Sequence, residues 1–451
     1  MLRRKIYDSL LEWKNKSAGK TALLIDGARR VGKSYIATEF AKNEYRSYLV
    51  IDFTRVGEDV RAIFENELVN LDTFFMLLSE LFGVKLYEGE SLIIFDEVQR
   101  FPRAREAIKF LVADGRYHYI ETGSLISLKK NIMDIQIPSE ERHIKMFPLD
   151  FEEFLWAVGE DGMQDVISDR FYSGKPMGQA LHRKAINLFR QYLIVGGMPQ
   201  AVDEYVNNRD FGEVDMVKRD ILGLYRQDIV KFSGKDSLKV QAMFDEIPSS
   251  LSKHDTRFKL SSLSRGARYR EYEDALFWLQ DSMIVNLCFN TRDPALGLKQ
   301  NRDRVALKCY MADTGLLISH SFDENGVMSE EIYKKILLDK LEVNMGMIIE
   351  NVVSQMLVAS GRSLYYYNNP DRTDKDSRME IDFLIAKSKI TSRHNITPIE
   401  VKSGPRYTLS SLKKFIKKYS EQTDKPLVIH SKDYEEKDGI RFVPLYMVPL
   451  I

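Results

Sequence analysis

One short stretch near the start of the chain, Gly27-Ala28-Arg29-Arg30-Val31-Gly32-Lys33-Ser34, constrains its fold more than any other. It follows an apolar run, Thr21–Asp26, and opens a segment of helical character, Lys33–Lys42. A glycine-bearing turn between a strand and a helix aims consecutive backbone N–H groups at one spot, and the helix adds the positive end of its dipole. That spot suits a phosphate. In this spacing Lys33 is placed for the β- and γ-phosphates of a nucleotide and the Ser34 hydroxyl for Mg²⁺, with the backbone from Gly27 to Tyr35 around the anion. A strand–loop–helix of this kind needs a sheet behind it, so the amino-terminal region is expected to be α/β.

The next segments supply that sheet. Tyr48–Phe53, Leu92–Phe95 and Tyr117–Thr122 read as further apolar strands separated by helical stretches, the pattern of a parallel sheet covered on both faces. Ligands in such sheets sit at the carboxyl ends of the strands, and the polar residues that follow each strand fall on that edge. Asp96 is delivered there beside the metal, and Glu97 is the candidate base that polarises the attacking water. Thr122 and Ser124 end the fourth strand, where they sense the γ-phosphate or merely close a turn. Gln99 touches the same water or starts a solvated helix, and Arg142, with Arg116 behind it, is the candidate arginine for the γ-phosphate. The acidic pair points to hydrolysis rather than binding alone, with ATP and Mg²⁺ as the expected ligands.

The chain resembles a bacterial and archaeal family of AAA-type ATPases with a long uncharacterised carboxyl-terminal region. The resemblance rests on GARRVGKS, IIFDEVQ, ETGS, FPLDFEEF, YLIVGGMPQAV, ADTGLL and the final EIDFLI and PIEVKSG, and it covers nearly the whole length. Relatives usually carry Gly-Arg before the Pro-Leu segment, whereas this chain has Glu141-Arg142. The resemblance implies an ATPase core, a winged-helix middle and a nuclease-like carboxyl-terminal domain, and no particular cellular task.

The rest of the chain is read with those expectations beside it. At 451 residues it is too long for one ordinary core. The boundaries expected are 1–165 for the P-loop core, 166–236 for a helical segment completing it, 237–325 for a winged-helix-like domain and 326–451 for a restriction-endonuclease-like α/β domain. Phe151–Val230 is mostly helical, interrupted at Tyr192–Pro199, where Gly196-Gly197 reads as a turn or a tight helix contact. Tyr272–Asp281 would be the last helix of the winged helix, with Ile284–Phe289 and Val305–Met311 as its wing. Arg265, Arg268, Arg270, Lys299, Arg302 and Arg304 cluster around it as candidates for a DNA backbone, diluted by Glu271, Glu273 and Asp274; the competing reading is a scaffold that joins the other domains. Net formal charge is zero, so bulk charge makes no case for nucleic acid.

In the last region, strands near 381–386 and 397–402 carry Asp382 and Glu400-Val-Lys402, and a helix at 345–359 carries Glu350. Residues two apart in a strand share a face, so Glu400 and Lys402 point the same way. Asp382 with that pair resembles the restriction-endonuclease-like signature, with Glu350 as an additional helical acid and a second divalent metal as the implied cofactor. Lys402 would orient a water for phosphodiester cleavage; the alternative is a binding surface or a salt-bridge cluster. The aromatic run Tyr365–Tyr367 reads as strand core, and the polar loop 368–379 as a mobile or ligand-ordered segment. Seven scattered histidines support no zinc site. Cys288 and Cys309, in no paired spacing, favour a reducing compartment. No apolar run approaches the roughly 20 residues that cross a bilayer, and the expected location is the cytoplasm. Three readings remain: an Mg²⁺-dependent ATPase that moves its appended domains, an ATP-licensed DNA nuclease, and a non-hydrolysing regulator. ATP is the expected partner, with DNA, a protein partner and self-association as further expectations and no membrane.

Overall fold

Packing divides the chain into two units, Arg4–Phe147 and Pro148–Ile451, the first few residues joining the second. The computed structural model describes residues 2–123, 140–253, 257–263, 268–294, 297–322, 345–370, 377–387, 394–404 and 406–451, with Glu331, Tyr333 and Asp374.

In the amino-terminal unit the strands are β1 (Ala22–Gly27), β2 (Ser47–Asp52), β3 (Ser91–Asp96), β4 (His118–Gly123) and β5 (Glu141–Met146). They pair in the order β2-β3-β4-β1-β5, all parallel. The helices are α1 (Ile6–Lys16), α2 (Lys33–Glu44), α3 (Glu58–Asn66), α4 (Leu71–Phe82) and α5 (Pro102–Asp114). Every residue of β1 is buried, as expected for a strand covered on both faces. Its period-2 alternation splits the apolar side chains between two cores. Leu23 and Ile25 pack with Leu10 and Trp13 of α1 and Phe40 of α2, whereas Ala22 and Leu24 join the other core with Phe64, Phe74 and Ile108 from α3, α4 and α5. That second core is aromatic: the rings of Phe53, Phe64, Phe95 and Phe101 meet mostly edge to face, the arrangement that ring quadrupoles favour. The fifth strand went unread in the sequence because ERHIKM is charged. It lies at the sheet edge, where such residues block further pairing.

The carboxyl-terminal unit begins with helices α6 (Phe151–Ala157), α7 (Asp161–Ser173), α8 (Gln179–Val195), α9 (Pro199–Asn208), α10 (Phe211–Phe232), α11 (Ser237–Ser252), α12 (Tyr269–Asp281) and α13 (Thr314–Ser321). The expected interruption at Tyr192–Pro199 is shorter than the sequence suggested, because α8 runs on to Val195. Gly197 accepts from Leu149 N (2.6 Å) and donates to Asp313 Oδ2 (2.6 Å), a tight contact between backbone segments.

Eight strands complete this unit: β6 (Val285–Thr291), β7 (Arg302–Met311), β8 (Tyr365–Asn369), β9 (Met379–Ala386), β10 (Ile396–Val401), β11 (Leu427–His430), β12 (Glu435–Lys437) and β13 (Ile440–Pro444). Helices α14 (Met345–Ala359) and α15 (Ser410–Lys418) lie among them in sequence. The strands form one mixed sheet, β12-β13-β11-β10-β9-β8-β6-β7. The expected wing strands do pair antiparallel, but they are no free-standing wing: β6 pairs in parallel with β8, Phe289 opposite Tyr365. A sequence border at 325/326 therefore falls between strands of the same sheet, and one continuous core runs from Leu149 to Val448. Among the described residues no helix is long and apolar enough to cross a membrane.

Candidate functional site

The loop after β1 lies at the carboxyl edge of the first sheet. Two glycines shape it for different reasons. Gly32 caps α2 with φ 98°, a left-handed conformation in which a side chain would be strained. Gly27 has no such angle. Instead, a Cβ there would lie 2.5 Å from Met146 O, so its role is close approach to β5. The second left-handed residue of the loop is Arg30 (φ 68°). Ala28 and Val31 are buried, Arg29, Arg30 and Tyr35 are exposed, and Lys33 is buried.

Lys33 Nζ donates to Gly27 O (2.8 Å) and Ala28 O (2.9 Å), which folds the lysine back onto its own loop. Burial pushes its pKa down, opposed by Glu97, Asp26 and Asp96. Ser34 Oγ donates to Asp96 Oδ1 (2.6 Å), and the Thr122 hydroxyl donates to the same oxygen. Thr122 Oγ1 also accepts from Glu97 N (3.2 Å), which ties the ends of β3 and β4 together. Glu97 stands at φ 54°, a strained angle for a residue with a side chain, and Gln99 Nε2 donates to its Oε2 (2.6 Å). Lys33, Ser34, Asp96, Glu97 and Thr122 thus meet at one edge, with Gln99 on Glu97.

Arg142 is not brought there. It is the register partner of Leu23, four positions before Gly27 along β1, or about 13 Å from the loop at the rise of a strand. Arg116 precedes β4 at the opposite edge and pairs with Asp72 (2.7 Å) and Asp114 (2.8 Å). Ser124 lies outside the described residues. A residue that sequence reading missed is Arg4. It is buried, donating to Val31 O (3.2 Å) and Phe147 O (2.6 Å), so it braces the loop against the end of β5. Its only sequence signal was a basic start, which fits many roles.

The carboxyl-terminal acids converge on a second place. In β9–β10 the register pair Phe383–Ile399 puts Asp382 beside Glu400, and Asp382 Oδ2 accepts from Val401 N (2.7 Å). Lys402 Nζ donates to Glu400 Oε1 (2.6 Å). With Glu350 of α14 and Glu380 of β9 these residues line a cavity of about 530 Å³. The cavity also contains a residue the sequence reading did not place, Lys308 of β7. Its Nζ lies 2.8 Å from Glu350 Oε1 and 3.2 Å from Glu380 Oε1, over the ring of Tyr366 at 5.3 Å. The Tyr310 hydroxyl, two residues along the same strand face, donates to Glu350 Oε1. The signal was Lys308-x-Tyr310 in alternation, but it has meaning only once β7 belongs to the same sheet as β9 and β10.

Burial disfavours the Lys308 ammonium, yet Glu350, Glu380 and Asp382 outweigh it and raise its pKa well above the usual lysine value. Burial, then Glu400 and Glu350, push the Asp382 carboxyl well above the usual range. Burial also raises Glu400, with Lys402 opposing. Among the described residues, no three His, Cys, Asp or Glu side chains gather as a ready metal-ligand set, and the expected second metal does not fit the cluster as it stands.

Of the candidate DNA-facing cations, Arg302 and Arg304 both act on the hydroxyl of Tyr269, whose chain neighbours are Arg268 and Arg270. Arg302 lies over the Phe289 ring at 5.1 Å, Asp303 next to it pairs with Arg292 (2.9 Å), and Arg265 is outside the described residues. Tyr366 and Tyr367 are buried in β8, where the sequence placed them as core.

Residues 19–155 match the AAA domain family. Residues 186–325 and 345–448 match two domains of unknown function, DUF8612 and DUF4143. No curated protein matches the sequence. Similar solved structures include the Orc1 protein of Aeropyrum pernix in complex with DNA (10% identity, 71% of this chain and 91% of that chain, TM-score 0.27). Another is Cdc6p from Pyrobaculum aerophilum (13% identity, 74% of this chain and 92% of that chain, TM-score 0.24).

Proposed function

We propose that this chain, whose amino-terminal unit carries an AAA-type P-loop domain, hydrolyses ATP with Mg²⁺ and uses the cycle to act on its carboxyl-terminal unit. The observation that carries the proposal is the chain of contacts from Ser34 Oγ to Asp96 Oδ1 to the Thr122 hydroxyl, directly after the loop lysine and beside Glu97. A hydroxyl and a carboxylate 2.6 Å apart at a strand edge are the donor set that P-loop proteins present to Mg²⁺. When bound, Mg²⁺ would supply neutralising charge to the β- and γ-phosphates.

The chain's own groups do the remainder. Backbone N–H groups of Gly27–Ser34 and the start of α2 bind the anion. Lys33 leaves two neutral carbonyls to meet phosphate oxygens, an exchange of a weak partner for a charged one. Glu97 takes the proton of the attacking water, Gln99 positions Glu97, and Thr122 holds Asp96 and the Glu97 backbone in register. The test is Mg²⁺-dependent phosphate release alongside binding of a fluorescent ATP analogue. Glu97→Gln should hold nucleotide without turning it over, and Lys33→Ala should lose both. Turnover by Glu97→Gln at the parent rate would sink this assignment.

A second reading, phosphodiester cleavage in the carboxyl-terminal cavity, is favoured by one observation: Asp382, Glu400, Lys402 and Glu350 line a single space. In that reading Lys402 orients a water and DNA is the substrate. Labelled DNA incubated with ATP and Mg²⁺ or Mn²⁺ tests it. Cleavage that survives both Asp382→Asn and Lys402→Ala would remove this cavity from the account.

A further inference from the structure

The cavity that the second reading depends on contains more acid than the two strands of its signature supply. Glu350 and Glu380 stand with Asp382 and Glu400 along one face of the sheet, and the group that reaches the first two is an ammonium. Lys308 is 6% exposed, so its charge is answered by protein and not by water. It is held by design of the strand. Lys308 and Tyr310 share a face of β7, and both close on Glu350 Oε1. Elsewhere in the cluster, Glu400 gives one oxygen to Lys402, while its Oε2 finds no hydrogen-bond partner among the described residues although the residue is only 6% exposed. The cluster therefore has one buried carboxylate oxygen still open, and one buried cation already inside.

We propose that Lys308 is the resident cation of this cavity: its ammonium occupies the charge-balancing place of a divalent metal among Glu350, Glu380, Asp382 and Glu400, and the cluster accepts a divalent ion only when that lysine is removed or withdrawn. A metal would need Glu350 or Glu380 to leave the lysine, and would then sit beside an unpaired positive charge in a low-dielectric space. With Lys308 gone, the same carboxylates and the open Glu400 Oε2 become an oxygen donor set of the kind that Mg²⁺ and Mn²⁺ take. This deepens the second reading of the cavity by giving it a built-in lock, but its readout is metal binding and not cleavage, so either idea fails without the other.

The experiment titrates the full-length, nucleotide-free protein with Mn²⁺ and follows free Mn²⁺ by electron paramagnetic resonance. Any Mn²⁺ taken at Ser34 and Asp96 is common to all variants and cancels in the comparison. Wild type and Asp382→Asn should give superimposable curves. Lys308→Met, of similar length and without charge, should gain a site at least ~10-fold tighter than any in wild type, and adding Asp382→Asn should abolish the gain. Lys308→Arg, which keeps the charge, should show no gain. A Mn²⁺ site in wild type that Asp382→Asn or Glu400→Gln removes would overturn the proposal, as would a folded Lys308→Met protein with no new site. Should Lys308→Met fail to fold, the wild-type and Asp382→Asn curves still decide: coincidence supports the lock, and a difference refutes it.

Discussion

The two acid–lysine sites of this chain are built from the same residue types and differ in what the lysine touches. At the loop, Lys33 rests on two backbone carbonyls, and the nearby Asp96 rests on two hydroxyls. In the cavity, Lys308 is paired directly with Glu350 and Glu380, and Lys402 with Glu400. A neutral partner is replaced by a charged ligand at little cost, because the new hydrogen bond is the stronger one. A buried ion pair has to be broken first, and whichever charge is left behind remains desolvated. The first site is thus poised for a ligand, and the second is closed on itself.

The largest effect expected from this contrast is on turnover. Lys33→Ala should lower ATP-dependent phosphate release by at least ~100-fold, because a positive charge at the γ-phosphate is lost. A modest fall in melting temperature should accompany this loss, since the ammonium also balances Glu97, Asp26 and Asp96. The next is on stability. Lys308→Ala should cost the carboxyl-terminal unit about 3–5 kcal/mol in chemical denaturation, the range for removing one partner of a buried ion pair. If both alanine variants behaved alike, by turnover and by denaturation, the distinction between the two sites would collapse.

Acid should sharpen the contrast further. His430, at the end of β11, is 2% exposed, accepts or donates at Tyr407 OH (3.1 Å) and donates to Asp433 O (3.3 Å). Burial lowers its pKa to about 4 from the ordinary 6.5, with the Asp433 carbonyl opposing and Lys432 assisting. The folded state thus refuses a proton that the unfolded state takes, so stability is complete above pH 6.5 and is lost as pH falls towards 4. The loss is at most about 3 kcal/mol. Denaturation of His430→Gln across this window should show a flatter pH dependence than wild type; an unchanged slope would remove His430 as the cause. The smallest effect is at Gln99. Its loss in Gln99→Ala frees the Glu97 carboxylate, and turnover should change by roughly threefold to tenfold with analogue affinity preserved. A change in affinity instead would place Gln99 on the nucleotide.

The legible parts of the sequence were those where function and local pattern coincide. The glycine loop and the strand ending in Asp96-Glu97 announce both their structure and their edge of the sheet, because burial on both faces makes such strands continuously apolar. The face shared by Glu400 and Lys402 follows from strand periodicity alone. What was not legible depends on pairing between distant segments. Lys308 looks like any strand lysine until β6 pairs with β8, and the hairpin resembled a wing because local pattern does not say which edge a hairpin joins. Arg142 was not legible as a strand residue, because ERHIKM is charged, and no sequence spacing shows where along β1 it falls.

The parallel pairing of β6 with β8 also sets an order of events for a growing polypeptide. The hairpin of β6 and β7 leaves a ribosome with one edge complete and the other waiting for strands that lie beyond α14. Until those strands emerge, β6 offers a row of unanswered N–H and C=O groups and Lys308 has no carboxylates to face. A chain ending near residue 325 would remain in that condition permanently and is expected to be sticky rather than folded. The segments matched as separate domains on either side of that point share one sheet and one hydrophobic core.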